Sequence, residues 1–311
     1  MSLCDVICKQ GASSVAHGHI PYLCFPIFYR SKIPYYHGIL LPDHPEFAND
    51  VEKKMLDIKN FDSRESDILL CSSMKSGSHW LLEIISMLIS GSCDVTKETV
   101  LSSNLEYTRL EAFEDRPNPR IIHSHLPLKF LPAKHLEKSY KTVLVMRNPK
   151  DRLASYFFSI LGKMPGLENL KWSDYFNRII QEGVPRVYGD WFDYTLEWAT
   201  ELKKNPTNIF PIFYEDLQKN FAVNVKRLGE FLCVERNASF YSEIEHKCSF
   251  EYMKKNKADD LVAIDHKGRS TLYRKGQIGD WKNLFTVAQN EQFDELFQRK
   301  MSDSKIRFQF E

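Results

Sequence analysis

The chain has 311 residues, enough to bury a large core, and its 43% hydrophobic and 27% charged residues are the balance of a soluble globular protein. With 42 Lys and Arg against 41 Asp and Glu, the net charge of +1 excludes a general pull toward nucleic acid or a membrane surface, so any anion site has to be local. Seven scattered cysteines (Cys4, Cys8, Cys24, Cys71, Cys93, Cys233, Cys248) lack zinc-ligand spacing, and no apolar run approaches the ~20 residues needed to span a bilayer.

Residues 1–35 are rich in His, Tyr and Pro without clear periodicity and read as an irregular N-terminal extension, leaving a single domain over 36–311. The N-terminus shows no charged lead, sustained apolar stretch or small-residue cleavage site, so reduced thiols and a cytoplasmic location are expected, and the Asn237-Ala238-Ser239 sequon reads as an unmodified turn.

The first strand is expected at Ile68–Cys71, a continuous apolar run suited to a parallel sheet covered on both faces. It leads through Lys75-Ser76-Gly77-Ser78-His79-Trp80 into a helix over Trp80–Ser90, with Leu81, Ile84, Ile85 and Leu88 at helical spacing. A strand that turns through Gly into a helix start gathers free backbone N–H groups and the positive end of the helix dipole at one point, which favours phosphate. Lys75 adds a mobile charge, and Ser76 and Ser78 add hydroxyls. The loop is P-loop-like but not the nucleoside triphosphate loop, because Lys precedes Gly and position 74 is Met.

Further strands are expected at Arg120–His123, Thr142–Met146 and Asn208–Tyr214, and helices at Asp151–Ile160, Trp172–Gln181 and Trp191–Lys204. This alternation predicts an α/β fold, a mainly parallel central sheet flanked by helices, with ligands beyond the C-terminal strand ends. There, His125 in Ile122-His123-Ser124-His125-Leu126-Pro127 suits a general base. The His123-x-His125 pair could instead ligate a metal, but no nearby carboxylate or Cys completes a set, and no metal is expected. Arg147 at the end of its strand offers a fork of donors to phosphate, with Ser155 two turns along the next helix. Downstream, Arg274-Lys275-Gly276 pairs two cations with a residue that lets backbone come close to a ligand, as a terminal phosphate needs.

These segments, in this order, resemble the cytosolic sulfotransferases, from about His37 to the C-terminus. That family moves a sulfuryl group from 3′-phosphoadenosine 5′-phosphosulfate (PAPS) to a hydroxyl or amine of a small acceptor and releases 3′,5′-ADP. The resemblance implies that Lys75, Ser76, Gly77, Ser78, His79 and Trp80 hold the 5′-phosphosulfate, and that Arg147, Ser155, Arg274, Lys275 and Gly276 hold the 3′-phosphate. It implies that Tyr214, Cys248, Ser249, Phe250 and Met253 line the nucleoside, and that His125 and Lys75 are catalytic, with His123, Ser124 and His125 facing the acceptor. It further implies a weak homodimer through Lys282, Thr286, Val287 and Glu291, while Thr286 with Gln289 also reads as a capping box opening the last helix.

The chain departs from the family pattern at Met74 (for Pro), Ser78 (for Thr), Cys248 (for Thr) and His123 (for Lys). His123, partly charged near neutrality, is expected to make turnover more pH-sensitive than a Lys would. The acceptor pocket is expected to be apolar and drawn from Tyr35–Leu41, a loop over Phe157–Leu170, and Asp259–Arg269. A small-molecule kinase, a non-sulfating PAPS binder and a dehydratase working through a sulfated intermediate are the rival readings.

Overall fold

The computed structural model describes residues 34–42, 44–96, 99, 101–163, 170–181, 187–257 and 273–311. The expected extension over 1–35 therefore lies outside the described residues except for Pro34 and Tyr35, and Tyr35 is already a strand residue. A small antiparallel hairpin, β1 (Tyr35–Tyr36) and β2 (Ile39–Leu40), turns at His37-Gly38, both at positive φ.

The central sheet is formed by β3 (Ile68–Ser72), β4 (Ile121–Ser124), β5 (Thr142–Met146) and β6 (Ile209–Phe213), all parallel, in the order β4-β3-β5-β6. Each expected strand is present. β4 starts one residue later than expected, and Tyr214 leaves the strand to begin a helix. Pro211, which cannot donate to a ladder, sits on the edge strand where that loss is tolerated.

Helices α1 (Pro45–Ala48) and α2 (Val51–Lys59) precede the sheet; α3 (Ser78–Ser90) follows β3, and α4 (Ala133–Glu137) lies between β4 and β5. Next come α5 (Pro149–Lys163), α6 (Trp172–Gln181) and α7 (Trp191–Lys204), then α8 (Tyr214–Lys219) and α9 (Phe221–Leu232) beyond β6. The chain closes with α10 (Ala238–Lys247), α11 (Phe250–Asn256) and α12 (Val287–Met301). α6 and α7 have the boundaries that the periodicity predicts, whereas α3 and α5 each start two residues early, α5 with Pro149 at its first position, where a missing N–H costs nothing. Because α5 runs to Lys163, the expected acceptor loop over Phe157–Leu170 begins as helix, and residues 164–169 and 258–272, with the Asp259–Arg269 stretch, lie outside the described residues.

Alternate strand residues feed two cores. Ile68, Leu70, Val143, Val145 and Ile212 pack with Leu81, Ile84, Ile85 and Leu88 of α3 and Val225 and Leu228 of α9. Leu69, Cys71, Ile122, Leu144 and Met146 pack on the other face with Leu153 and Phe157 of α5, Trp191, Phe192 and Trp198 of α7, and Phe293 of α12. Burial on both faces explains the unbroken apolar runs. Since β3 connects to β4 on one side and the chain then crosses to β5 on the other, the strand order reverses between β3 and β5, where an open α/β sheet has its ligand crevice.

Candidate active site

The loop after β3 is shaped by two left-handed residues, Lys75 at φ 70° and Gly77 at φ 109°, around the fully buried Ser76, whose hydroxyl bonds Ser73 at 2.8 Å. A lysine with positive φ is an uncommon backbone state and marks the loop as shaped for a purpose. Gly77 occupies the N-cap of α3 without any side-chain cap, so the first-turn N–H groups of Ser78, His79 and Trp80 lie at the bare positive end of the helix. A Cβ on Gly77 would stand 2.9 Å from Cδ2 of Tyr214. The glycine is thus needed both for its φ and for the aromatic ring against it.

Arg147, at the end of β5, ties this loop to the neighbouring strands. Its Nη1 donates to the Lys75 carbonyl at 3.1 Å, and its guanidinium lies 4.3 Å from the Tyr214 ring centroid at the end of β6. Its Nε is buried with no protein partner. The residues after it each hold a different part of the site. Asn148 donates its N–H to Glu215 at 2.9 Å, and burial raises that carboxyl to about 7; Asn148 Oδ1 accepts the Lys150 N–H. Lys150 is buried against the Trp281 ring and donates to Asn290 and Asp294 of α12. Asp151 accepts the N–H of Gly279 at 2.7 Å and of Trp281 at 2.9 Å, anchoring the segment that carries Arg274, Lys275 and Gly276.

Arg274 and Lys275 both pair with Asp280, and Arg274 lies over the Phe158 ring of α5 at 4.1 Å. Burial works against ionisation of Asp280, but hydrogen bonds from Lys275, Arg274 and Asn283 outweigh it and bring the carboxyl down to about 2. Ser155 lies one turn before Phe158 on α5, so helical geometry puts it on the Arg274 side. Gly276 has φ 64°, and a Cβ there would collide with the Phe250 ring. Two glycines are therefore packed under two aromatic rings, Tyr214 and Phe250, one at each end of the expected nucleotide site. With the cations of both ends, that cradle fits a nucleotide with phosphates at its two ends.

On the side expected to take the nucleoside, Trp80 Nε1 donates to the Cys248 carbonyl at 2.8 Å, and its ring packs edge-on to Tyr214. The Cys248 thiol points instead to Met87 Sδ at 3.8 Å in the core, which corrects the expectation that its side chain lines the nucleoside. Ser249 caps α11 through the Tyr252 N–H, and Met253 is buried.

The loop after β4 holds the histidines. His125 Nδ1 donates to the Ser72 carbonyl at 2.8 Å, which fixes the tautomer with the lone pair on Nε2. Burial, opposed by that hydrogen bond and assisted by the charges of Arg152 and Lys75, lowers His125 to about 4, so the ring is neutral at physiological pH. Its backbone N–H donates to Glu106 Oε1 at 2.6 Å. Glu106 is fully buried, and burial outweighs its hydrogen bonds to raise the carboxyl to about 7.

His123 and Ser124 are fully buried, and this corrects two expectations. First, neither lines the cleft in front of His125: the Ser124 hydroxyl accepts the Leu126 N–H at 3.1 Å, and the His123 ring stands edge-on to the His125 ring, 4.4 Å away between centroids, while the segment around Ser103–Leu105 pairs with the backbone of β4 through His123 N–H to Ser103 O at 2.7 Å and Leu105 N–H to His123 O at 3.0 Å. Second, His123 carries no charge near neutrality. Asn104 Oδ1 accepts two backbone N–H groups, so its Nδ2 donates to His123 Nδ1 at 2.9 Å and the ring proton sits on the partnerless Nε2. Burial, with the nearby His125 and His79, keeps the His123 pKa well below its ordinary value.

His125 opens on a small cleft walled by Ser73, Met74, Arg152, Tyr188, Trp191 and Tyr194. The 187–194 wall has no motif and went unassigned in the sequence. The expected Tyr35–Leu41 segment backs that wall, with the Leu40 carbonyl accepting the Tyr188 N–H at 2.8 Å, rather than lining the cleft. Among the described residues no group of His, Cys, Asp and Glu is placed to hold a metal, and no helix is long and apolar enough to cross a membrane.

Residues 65–305 match the family model of the sulfotransferase domain. The chain is 32% identical over 304 residues to dog (Canis lupus familiaris) sulfotransferase 1B1, covering 91% of this chain and 98% of that one. Bovine (Bos taurus) sulfotransferase 1E1 is 34% identical over 265 residues, covering 81% and 88% respectively. Among solved structures, mouse sulfotransferase SULT7A1 complexed with PAP superposes with a TM-score of 0.72 at 32% identity, covering 88% of this chain and 96% of that chain.

Proposed function

The chain belongs to the sulfotransferase family and is a PAPS-dependent transferase, and we propose that it works by direct in-line transfer to a hydroxyl or amine of a small acceptor, with His125 as general base. The observation that carries this is the His125 tautomer. With Nδ1–H spent on the Ser72 carbonyl, Nε2 holds a lone pair beside the cleft and next to the Lys75 loop.

In the reaction the acceptor oxygen or nitrogen forms its bond to sulfur as the bond from sulfur to the bridging oxygen breaks. The acceptor proton passes to His125 Nε2, and 3′,5′-ADP leaves. Lys75 and the N–H groups of the α3 first turn offset the charge that grows on the bridging oxygen. Ser76, Gly77 and Ser78 hold the 5′ end; Arg147, Ser155 and the Arg274–Gly276 segment hold the 3′-phosphate, for which Lys275 and Arg274 exchange Asp280. Trp80, Tyr214 and Phe250 supply aromatic faces to the nucleoside, and Ser155 restrains Lys75 until an acceptor arrives. Cytoplasmic residence belongs to the same reading, as does a readily broken homodimer: Val287 is 77% exposed beside Thr286, whose capping box with Gln289 opens α12.

A thermal-shift titration tests this: 3′,5′-ADP is expected to stabilise the protein strongly and ATP weakly, with or without magnesium. A panel of phenols, alcohols and amines with PAPS is then expected to yield sulfated product. Stronger protection by magnesium-ATP would point to a kinase, and nucleotide binding with no product from any acceptor to a non-sulfating member or a dehydratase.

A further inference from the structure

Glu215 is 1% exposed and no step of the reaction uses it, although a carboxyl that far from water is costly to keep. It stands where β5 and β6 end together. Met146 pairs with Phe213 in the last register of the sheet, so Arg147-Asn148 and Tyr214-Glu215 leave it side by side. The two pairs then grip each other: the Arg147 guanidinium lies 4.3 Å from the Tyr214 ring centroid, and Glu215 Oε1 accepts the Asn148 N–H at 2.9 Å. Asn148 Oδ1 in turn accepts the N–H groups of Lys150 and Asp151 at 2.9 and 3.4 Å, which caps the start of α5. The turn that carries Arg147 is thus held by Glu215 on one side and by α5 on the other.

The same turn has three buried polar atoms with no partner among the described residues: Arg147 Nε, Asn148 Nδ2 and Glu215 Oε2. A folded chain satisfies nearly all such groups, so three of them in two bonded segments mark a place shaped by more than packing. Burial, the largest influence, raises the Glu215 carboxyl to about 7 against the Asn148 bond and the Arg147 charge. At neutral pH that carboxyl is about half protonated, so it holds Asn148 by an oxygen lone pair and not by its charge.

We infer that Glu215 is a positioning residue for the 3′-phosphate: its oxygen fixes the Arg147-Asn148 turn from the end of β6 and so aims the Arg147 fork at the 3′ end of the nucleotide. The inference rests on the nucleotide reading of the site, and Glu215 acts in it through Arg147. A fork-shaped donor is worth most when its direction is set beforehand, and the Tyr214 ring and the Lys75 carbonyl hold only the guanidinium end of that side chain. Its backbone end is set by Glu215.

The probes are 3′,5′-ADP and 5′-AMP, which differ only in the 3′-phosphate, each titrated by calorimetry into the parent protein and its variants. Glu215→Ala is expected to lower 3′,5′-ADP affinity about tenfold or more and 5′-AMP affinity less than about threefold. Glu215→Gln keeps an oxygen for the Asn148 N–H and should stay within about threefold of the parent for both nucleotides. Glu215→Asp keeps the acid but reaches one methylene less far, and should lose the 3′ preference as the alanine variant does; it carries the test if that variant does not fold. Equal losses for the two nucleotides overturn the inference and give Glu215 to the Tyr214 ring or to folding at large. So does a glutamine variant that loses as much as the shortened ones, or a 3′,5′-ADP affinity that the shortened variants leave unchanged. A parent protein that binds both nucleotides equally well overturns the 3′-phosphate reading, and the inference with it; the other failures overturn the inference alone.

Discussion

Glu106 Oε1 accepts the backbone N–H of His125 at 2.6 Å, from a carboxyl with no exposure to solvent. Two residues earlier, Asn104 holds the ring of His123. One short segment, laid along the outer edge of β4, therefore fixes both histidines, His125 by its backbone and His123 by its side chain. The Ser72 carbonyl then sets the His125 ring from the neighbouring strand, so the proposed base is held from two sides.

Replacing Glu106 by Gln keeps an oxygen for the His125 N–H and removes the ionisation. The Glu106 carboxyl titrates at about 7 when folded and near 4.5 when unfolded, so between those values the folded protein keeps a proton that the unfolded chain has released. Its contribution is complete below about pH 4.5 and is lost as pH rises toward 7, at no more than about 1.4 kcal/mol per pH unit. Glu106→Gln is therefore expected to gain stability relative to the parent between pH 5 and 8, read from urea midpoints. His125 and His135, both lowered to about 4, and His123 weaken either protein alike as pH falls below about 6.5, and so cancel in the comparison. A difference that does not change with pH would mean that Glu106 does not titrate in this range.

The proton acceptor gives a separate expectation. His125→Ala should lower sulfation by a factor of roughly 10² or more while leaving 3′,5′-ADP binding in place. Because the free-enzyme pKa of His125 is about 4, its acid limb in kcat/KM belongs near pH 4 rather than 6.5. His123→Gln should not bring that limb back to 6.5, since burial already holds His123 well below its ordinary value. A limb near 6.5 that persists in Glu106→Gln would contradict this assignment.

The strand, loop and helix start that carry the proposed phosphate site could be read in the sequence because they are local. A strand, a glycine turn and a helix start are contiguous, and the cations sit where strands end. The fold was legible for a similar reason, since β3 and β5 are buried on both faces and show it as unbroken apolar runs. The acceptor half was not. Glu106 and Asn104 lie in a segment without periodicity, and their partners are 19 residues away. The wall at Tyr188–Tyr194 depends on how α7 docks, which no local pattern records. His123 misled because burial, not residue type, decides its charge.

The two packed glycines predict a loss that is specific to the nucleotide. Gly77→Ala puts a Cβ against Tyr214, and Gly276→Ala puts one into the Phe250 ring, each at positive φ. Backbone strain and the forced ring movement are expected to cost about 1–3 kcal/mol each in stability. The rings that would shift are those proposed to face the nucleoside, so 3′,5′-ADP affinity should fall about tenfold or more in both. Glycine substitution at the cap of α3, Gly91→Ala, is the control: it has φ 70° but faces Arg236, so it should lose stability and keep nucleotide affinity.

Asp151 makes the last case, because its carboxylate is bonded to backbone N–H groups and not to the cations proposed for the 3′-phosphate. Its two oxygens accept the N–H groups of Gly279 and Trp281, which bracket Asp280, and Asp280 in turn pairs with Arg274 and Lys275. Asp151→Asn replaces one acceptor with a donor facing a backbone N–H, so one of those two groups is left unsatisfied in a buried position. The expected result is a weaker hold on the 274–276 segment. Affinity for 3′,5′-ADP should fall by about tenfold, whereas affinity for adenosine 5′-phosphosulfate, which lacks the 3′-phosphate, should change much less. Calorimetric titration of the two nucleotides separates the outcomes. Equal losses for both would assign Asp151 to general folding of the C-terminal region, through Trp281 and α12, rather than to the 3′ end of the site.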